Sequence, residues 1–148
     1  MGQALTIPRA ALTAAEEHRR LRSLLAQVEG AFGRSTARAA TGLDVVAAGL
    51  DTLRGPLGAH FEEEERAHLY EEIEERAPEQ APVCARLRSE HDGLIRRLDS
   101  LRTASPEARR GPTWAREVRS LLADLAGHEE RETDLLTRTL DGSIGAQD

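Results

Sequence analysis

Lysine is absent from this chain, and all twenty of its basic residues are arginine. A GC-rich coding sequence explains that better than any physical constraint. Cysteine is nearly absent too. Cys84 stands alone, which excludes an internal disulfide framework and fits a reducing compartment. Aromatic residues make up only 3% of the chain, and runs rich in β-branched residues are few, so there is little to build a sheet from. No stretch approaches the roughly 18 apolar residues that cross a bilayer, and the first residues carry no apolar signal-peptide core. A net charge of -6 leaves no basic surplus for nucleic acid or an anionic membrane surface. The expectation is a cytoplasmic protein with neither as a partner.

What is present is leucine, alanine, valine and charge in helical order. A length of 148 residues suits one domain with a real core. Residues 1–12 read as a lead-in, 13–140 as the domain and 141–148 as a Gly-containing tail. Thr13-Ala14-Ala15-Glu16 reads as a capping box that opens a first helix. His18, Leu21, Leu25, Val28 and Phe32 then recur at spacings of three and four, and Gly30 and Gly33 mark that helix's end. A second helix is expected over 43–76, kinked or split at Gly55-Pro56 and stopped by Ala77-Pro78. Pro82 suits the first turn of a third, and Pro112 opens a fourth, with 103–111 as a turn region between them. The expected fold is all-α, an antiparallel up-down-up-down four-helix bundle.

The organising stretch is His60-Phe61-Glu62-Glu63-Glu64. On a helix His60 and Glu64 share one face, a turn apart, and the spacing returns at His128 and Glu132. A single histidine on an apolar stripe is ordinarily a hydrogen-bonded core residue. Here His18, His60, His91 and His128 each lie on the stripe of a different helix. Unsatisfied, these imidazoles and the carboxylates of Glu64 and Glu132 would cost several kcal/mol. A metal satisfies all six at once. Four nitrogens and two carboxylates exceed what one tetrahedral zinc takes and suit two first-row ions, iron ahead of manganese or zinc. Glu65-x-x-His68 also spells a ferritin-type motif, but no second copy exists to complete such a site.

The ordered set His18, His60-x-x-x-Glu64, His91 and His128-x-x-x-Glu132 resembles the hemerythrin-like (HHE cation-binding) family over roughly residues 13–140. The resemblance implies a bundle around two non-haem iron ions, with an oxo or hydroxo bridge and with Glu64 and Glu132 as bridging carboxylates. Two departures separate it from the oxygen carriers. Ile95 stands where they have a second histidine, and the last motif ends His-x-x-x-Glu rather than His-x-x-x-x-Asp. The pattern is closer to the hemerythrin-type domain of an iron-sensing ubiquitin-ligase subunit. One iron, short of an imidazole, is expected to be open or to recruit water or another carboxylate.

The functional expectation is therefore a protein that binds or reacts with a small oxidant or diatomic gas (oxygen, peroxide or nitric oxide). The competing one is an iron- or oxygen-responsive module without turnover, read by a protein partner. Whether the chain is an enzyme is left open. Tyr70 and Trp114 read as packing or rim residues. Cys84 reads as a core filler with His68 at the edge of the seam, and a sharper version makes Cys84 a redox-sensitive thiol beside an imidazolium.

Overall fold

A computed structural model describes residues 9–35 and 41–145. Among the described residues the chain is all-helical, with no strand. The helices are α1 (Arg9–Ser35), α2 (Thr41–Arg66), α3 (Leu69–Arg76), α4 (Ala81–Arg102), α5 (Pro106–Arg110) and α6 (Pro112–Gly145). A 3-10 turn over Pro78–Gln80 joins α3 to α4. No described helix is long and apolar enough to cross a membrane.

Several helix ends differ from expectation. α1 begins at Arg9, ahead of the Thr13 box, because Ala10, Ala11 and Leu12 favour helix and nothing there stops it. It also runs through Gly30 and Gly33 to Ser35. The Phe32 side chain and the connection over 36–40 lie outside the described part. α6 continues past Asp141 to Gly145, beyond the expected start of the tail. The 103–111 turn holds a short helix, α5, which Ser105 caps by accepting from the Ala108 amide at 3.2 Å.

The most instructive difference lies in the second helical region. α2 passes through Gly55-Pro56 without breaking. Gly55, Pro56 and Thr52 are all exposed, so water can take the Thr52 carbonyl that Pro56 cannot serve, while Leu53 and Leu57 stay buried on the inner face. The break comes at Ala67-His68 instead. His68 is left-handed, with φ 53 and ψ 39, and is the sole non-glycine residue of positive φ among those described. Six residues of unbroken helix would turn Tyr70 about 120° away from Glu64. The left-handed step brings Tyr70 back inward, at a cost of about 1–2 kcal/mol.

Two apolar clusters stand on either side of the charged layer. The larger joins Leu21, Leu25 and Val28 of α1 to Leu50, Leu53 and Leu57 of α2, Leu94, Leu98 and Leu101 of α4, and Val118, Leu121 and Leu125 of α6. Each of these side chains stabilises by about 1.5–3 kcal/mol. α1 and α2 approach closely at Gly49, where a Cβ would meet Val28 at 3.1 Å. Arg54 bonds Asp99 at 2.8 Å and Arg97 bonds Asp124 at 2.7 Å, tying α2 to α4 and α4 to α6. Trp114 is a packing residue, its indole donating to the Leu101 carbonyl at 3.0 Å.

The smaller cluster gathers Leu69, Tyr70, Ile73, Cys84, Leu87, Leu135 and Leu136. Cys84 is wholly buried there, and burial pushes its thiol up to about 11. The side chain of His68 is 78% exposed, its nearest ion-pair partner being Glu71 at 3.9 Å. The redox-thiol expectation is therefore corrected. Burial disfavours the thiolate, and His68 points to solvent rather than to the edge of the seam.

Candidate metal centre

The described structure brings all six expected residues into one buried layer: His18 from α1, His60 and Glu64 from α2, His91 from α4, and His128 and Glu132 from α6. Helical spacing explains the layer. Leu21, Leu57, Leu94 and Leu125 each stand three residues from a layer histidine, on the same face and one turn away. Each of these four histidines turns its Nε2 inward. That of His18 is 2.7 Å from Glu132 Oε2 and 3.3 Å from Glu64 Oε1. His60 Nε2 touches Glu64 Oε1 and lies 3.6 Å from Glu132 Oε2. On the other side His91 Nε2 is 3.3 Å from Glu64 Oε2 and 3.5 Å from Glu132 Oε1, and His128 Nε2 is 2.8 Å from Glu132 Oε1.

These distances fall into a pattern. Glu64 and Glu132 each turn one oxygen to the His18–His60 pair and the other to the His91–His128 pair. Each carboxylate thus spans two nitrogen pairs, and each pair with its facing oxygens forms a separate small pocket. His18, His60, Glu129 and Glu132 offer ligand atoms all within 4.8 Å of one another, and His91, His128 and Glu132 do the same.

Residues 13–140 match the family described as the Hemerythrin HHE cation binding domain. The chain belongs to that family. Neither curated proteins nor solved structures give a match.

For a cation-binding HHE domain the protonation chemistry of the layer is apt. Burial alone would lower the pKa of His18, but the Glu132 and Glu64 carboxylates outweigh it and raise it to about 9. The same contest raises His60 to about 11 and His91 to about 9, and lifts His128 as well. Glu64 and Glu132 move down, the surrounding imidazoles overcoming the effect of burial. Without a cation, protons hold the layer together, and a metal ion would displace them.

The HHE domain also supports its histidines from outside. His128 Nδ1 donates to Glu90 at 2.8 Å, and Arg131 grips both oxygens of Glu90 at 2.7 and 2.9 Å. His18 Nδ1 donates to Thr133 Oγ1 at 3.3 Å, whose hydroxyl accepts from Arg22 at 2.6 Å and donates to the Glu129 carbonyl. With Nδ1 carrying the donated proton, a neutral ring leaves its Nε2 lone pair aimed at the centre.

A test of fit comes from buried polar atoms that no described group satisfies. Both oxygens of Glu129, Glu132 Oε2 and His128 Nε2 have no hydrogen-bond partner of acceptable geometry. Such groups are costly, and a cation in the layer is a partner that would satisfy them together. The donor set of imidazole and carboxylate fits first-row divalent and trivalent ions.

Three residues of the site escape the spacing argument. Glu129 is 1% exposed, and burial, then the charge of Glu132, raises its carboxyl to about 7. Its place directly after His128 is the one signal the sequence carries for it, and the three-and-four spacing does not pick it up. The Tyr70 hydroxyl donates to Glu132 at 2.6 Å and Glu64 at 2.9 Å, and lies 3.1 Å from His91 Nε2. It belongs to the site rather than to the rim, and the unforeseen break at His68 hid it. Glu90 is off its helix's apolar stripe and carries no sequence signal.

Proposed function

We propose that this chain is an antiparallel up-down-up-down four-helix bundle holding two non-haem iron ions and reacting with a small oxidant or gas. Support for the topology comes from paired numbers running in opposite directions: Arg54 with Asp99 but Glu64 with His91, and Arg97 with Asp124 but Glu90 with Arg131. The observation that carries the di-iron reading is the split of Glu64 and Glu132, each with one oxygen on either nitrogen pair. A one-metal site has no use for two carboxylates that both straddle.

In this reading His18 and His60 would hold one ion and His91 and His128 the other, with Glu64 and Glu132 available to both. Bound iron would supply redox electrons and an open coordination position. The chain supplies the rest. Leu21, Leu57, Leu94 and Leu125 exclude bulk water on one side, and Leu87 and Leu135 do so on the other. Tyr70 orients the shared carboxylates, and Glu90 and Thr133 fix ring orientation. A groove of about 340 Å³ between α1 and α2, lined by Arg20, Leu21, Pro56, His60 and Arg66, leads from solvent to His60. Its volume exceeds that of oxygen, peroxide or nitric oxide.

A regulatory reading without turnover draws on one observation. The charged layer lies inside the core, so occupancy feeds directly into fold stability. The test of the di-iron centre is elemental analysis with an absorption spectrum on protein from iron-replete cells. About two irons per chain and near-ultraviolet absorption of an oxo-bridged ferric pair are expected. A single tightly held zinc with no iron overturns it. Steady consumption of peroxide or oxygen then favours reaction over sensing.

A further inference from the structure

The two His-x-x-x-Glu motifs differ at the residue after the histidine, and that residue crosses to the opposite half of the site. Phe61 follows His60 on α2 and stacks on His91, ring centres 4.0 Å apart and planes 8° from parallel. Glu129 follows His128 on α6 and reaches back to the other pair. Its Oε2 is 3.5 Å from His18 Nε2 and its Oε1 is 3.7 Å from His60 Nε2. A rotation of about 100° per residue accounts for both crossings.

Glu129 has none of the partners that buried structural glutamates keep. It is 1% exposed, and neither carboxylate oxygen accepts a hydrogen bond from the described residues. Glu64 and Glu132 have the Tyr70 hydroxyl, whereas Glu129 faces the imidazole nitrogens of His18 and His60 at 3.5 and 3.7 Å, beyond good hydrogen-bonding distance. Its oxygens nevertheless share a 4.8 Å cluster with ligand atoms of His18, His60 and Glu132. Two nitrogens, one shared carboxylate and one private carboxylate make a four-donor pocket. The His91–His128 pocket has no private carboxylate. Its extra polar group is the neutral Tyr70 hydroxyl, already donating to Glu64 and Glu132.

We propose that Glu129 is a terminal ligand to the metal ion held by His18 and His60, and that this position fills first because it alone has its own anionic ligand. The proposal rests on the two-metal reading above. It assigns unequal affinity to two positions that the repeated motif makes look alike.

The experiment is an anaerobic titration of the metal-free full-length chain with cobalt(II), whose visible absorption reports coordination. Wild type should take up two ions in two resolved steps. Glu129→Gln keeps the shape of the side chain and removes the charge. It should weaken the first step at least about tenfold, the size even of losses from outer supports, and change that ion's absorption intensity. The second step should stay within about threefold. Because the replaced carboxylate has no hydrogen-bond partner to lose, metal-free Glu129→Gln should melt no lower than wild type. If it fails to fold, Glu129→Asp, which withdraws the carboxylate by one methylene, should show the same weakened first step. Two wild-type-like steps with unchanged absorption in the variant overturn the role of Glu129 and leave the two-metal reading intact. Fewer than two cobalt ions bound by wild type overturns both.

Discussion

The two halves of the charged layer start from the same motif and end as different environments. Around His91 and His128 the rings are enclosed. Phe61 covers His91 face-on and meets His128 edge-on at 5.4 Å, while Tyr70 donates into the shared carboxylates beside them. Around His18 and His60 there is a carboxylate, Glu129, in place of an aromatic ring, and a groove opens to solvent beside His60. One half is built from packing and the other from charge and access. A repeated sequence motif does not imply two equivalent positions. The neighbouring residues, rotated out of the shared face, decide what each position can do.

The largest effect should come from removing a group both halves depend on. His60 contacts Glu64, which serves both nitrogen pairs. In the metal-free protein His60→Ala takes an imidazolium from a buried carboxylate cluster, a loss on the order of 3–5 kcal/mol. Bound iron should fall with it. His68→Asn, which keeps a residue tolerant of the left-handed backbone, should leave iron content unchanged and alter stability by no more than about 0.5 kcal/mol. Thermal denaturation and metal analysis of both variants check this. Equal loss of iron in the two would mean that His60 is not a ligand.

That contrast also shows what could be read in advance. All six residues of the seam set lie in the layer because helical spacing depends on local backbone geometry alone, and each of their helices is continuous there. Spacing could not place Tyr70, since its position depends on a left-handed step at His68 with neither glycine nor proline to announce it. Gly55-Pro56, expected to kink or split the helix, does not split it, and water can serve the carbonyl that Pro56 leaves free. Glu129 was hidden for a different reason. The three-and-four rule describes one face, and a centre enclosed by four helices receives side chains from the flanks of each. The helix start at Arg9 shifted because the Thr13 box lies inside a good helix-forming run, whereas α6 runs on through Gly142 to Gly145 against the propensity of those residues.

A smaller effect should separate the halves by way of Tyr70. Tyr70→Phe leaves the packing of the smaller cluster intact but removes the hydroxyl that donates to Glu64 and Glu132. The one hydroxyl proton is shared between the two carboxylates; a hydrogen bond to a charged acceptor contributes about 1.5–3 kcal/mol, and buried carboxylates cannot turn to water instead. The metal-free variant should therefore lose stability by an amount in that range and melt at a lower temperature. Loading with metal should narrow the difference, because an ion takes over part of the charge that the hydroxyl steadied. A metal-free Tyr70→Phe protein as stable as wild type would show that the hydroxyl merely fills space.

The smallest expected difference lies at the outer supports. Arg131 holds Glu90 with two nitrogens, and Glu90 in turn holds His128 Nδ1 at 2.8 Å. Both arginine contacts are charge-assisted, and Glu90 sits on the carboxylate side of its usual range because Arg131 and His128 overcome its burial. Arg22 supports His18 more loosely, through one hydrogen bond to the neutral Thr133 hydroxyl, and the His18 contact beyond is longer at 3.3 Å. Both arginines are exposed, so neither substitution should change stability by more than about 1 kcal/mol. They should differ in metal retention. Arg131→Gln frees Glu90 and with it the His128 ring, and should speed metal loss to a chelator several-fold. Arg22→Gln removes one of two donors to a hydroxyl whose own bond to the Glu129 carbonyl remains, so its chelation rate should stay close to wild type. A faster loss from Arg22→Gln than from Arg131→Gln would reverse the ranking. It would place the more rigid support on the half that faces the groove.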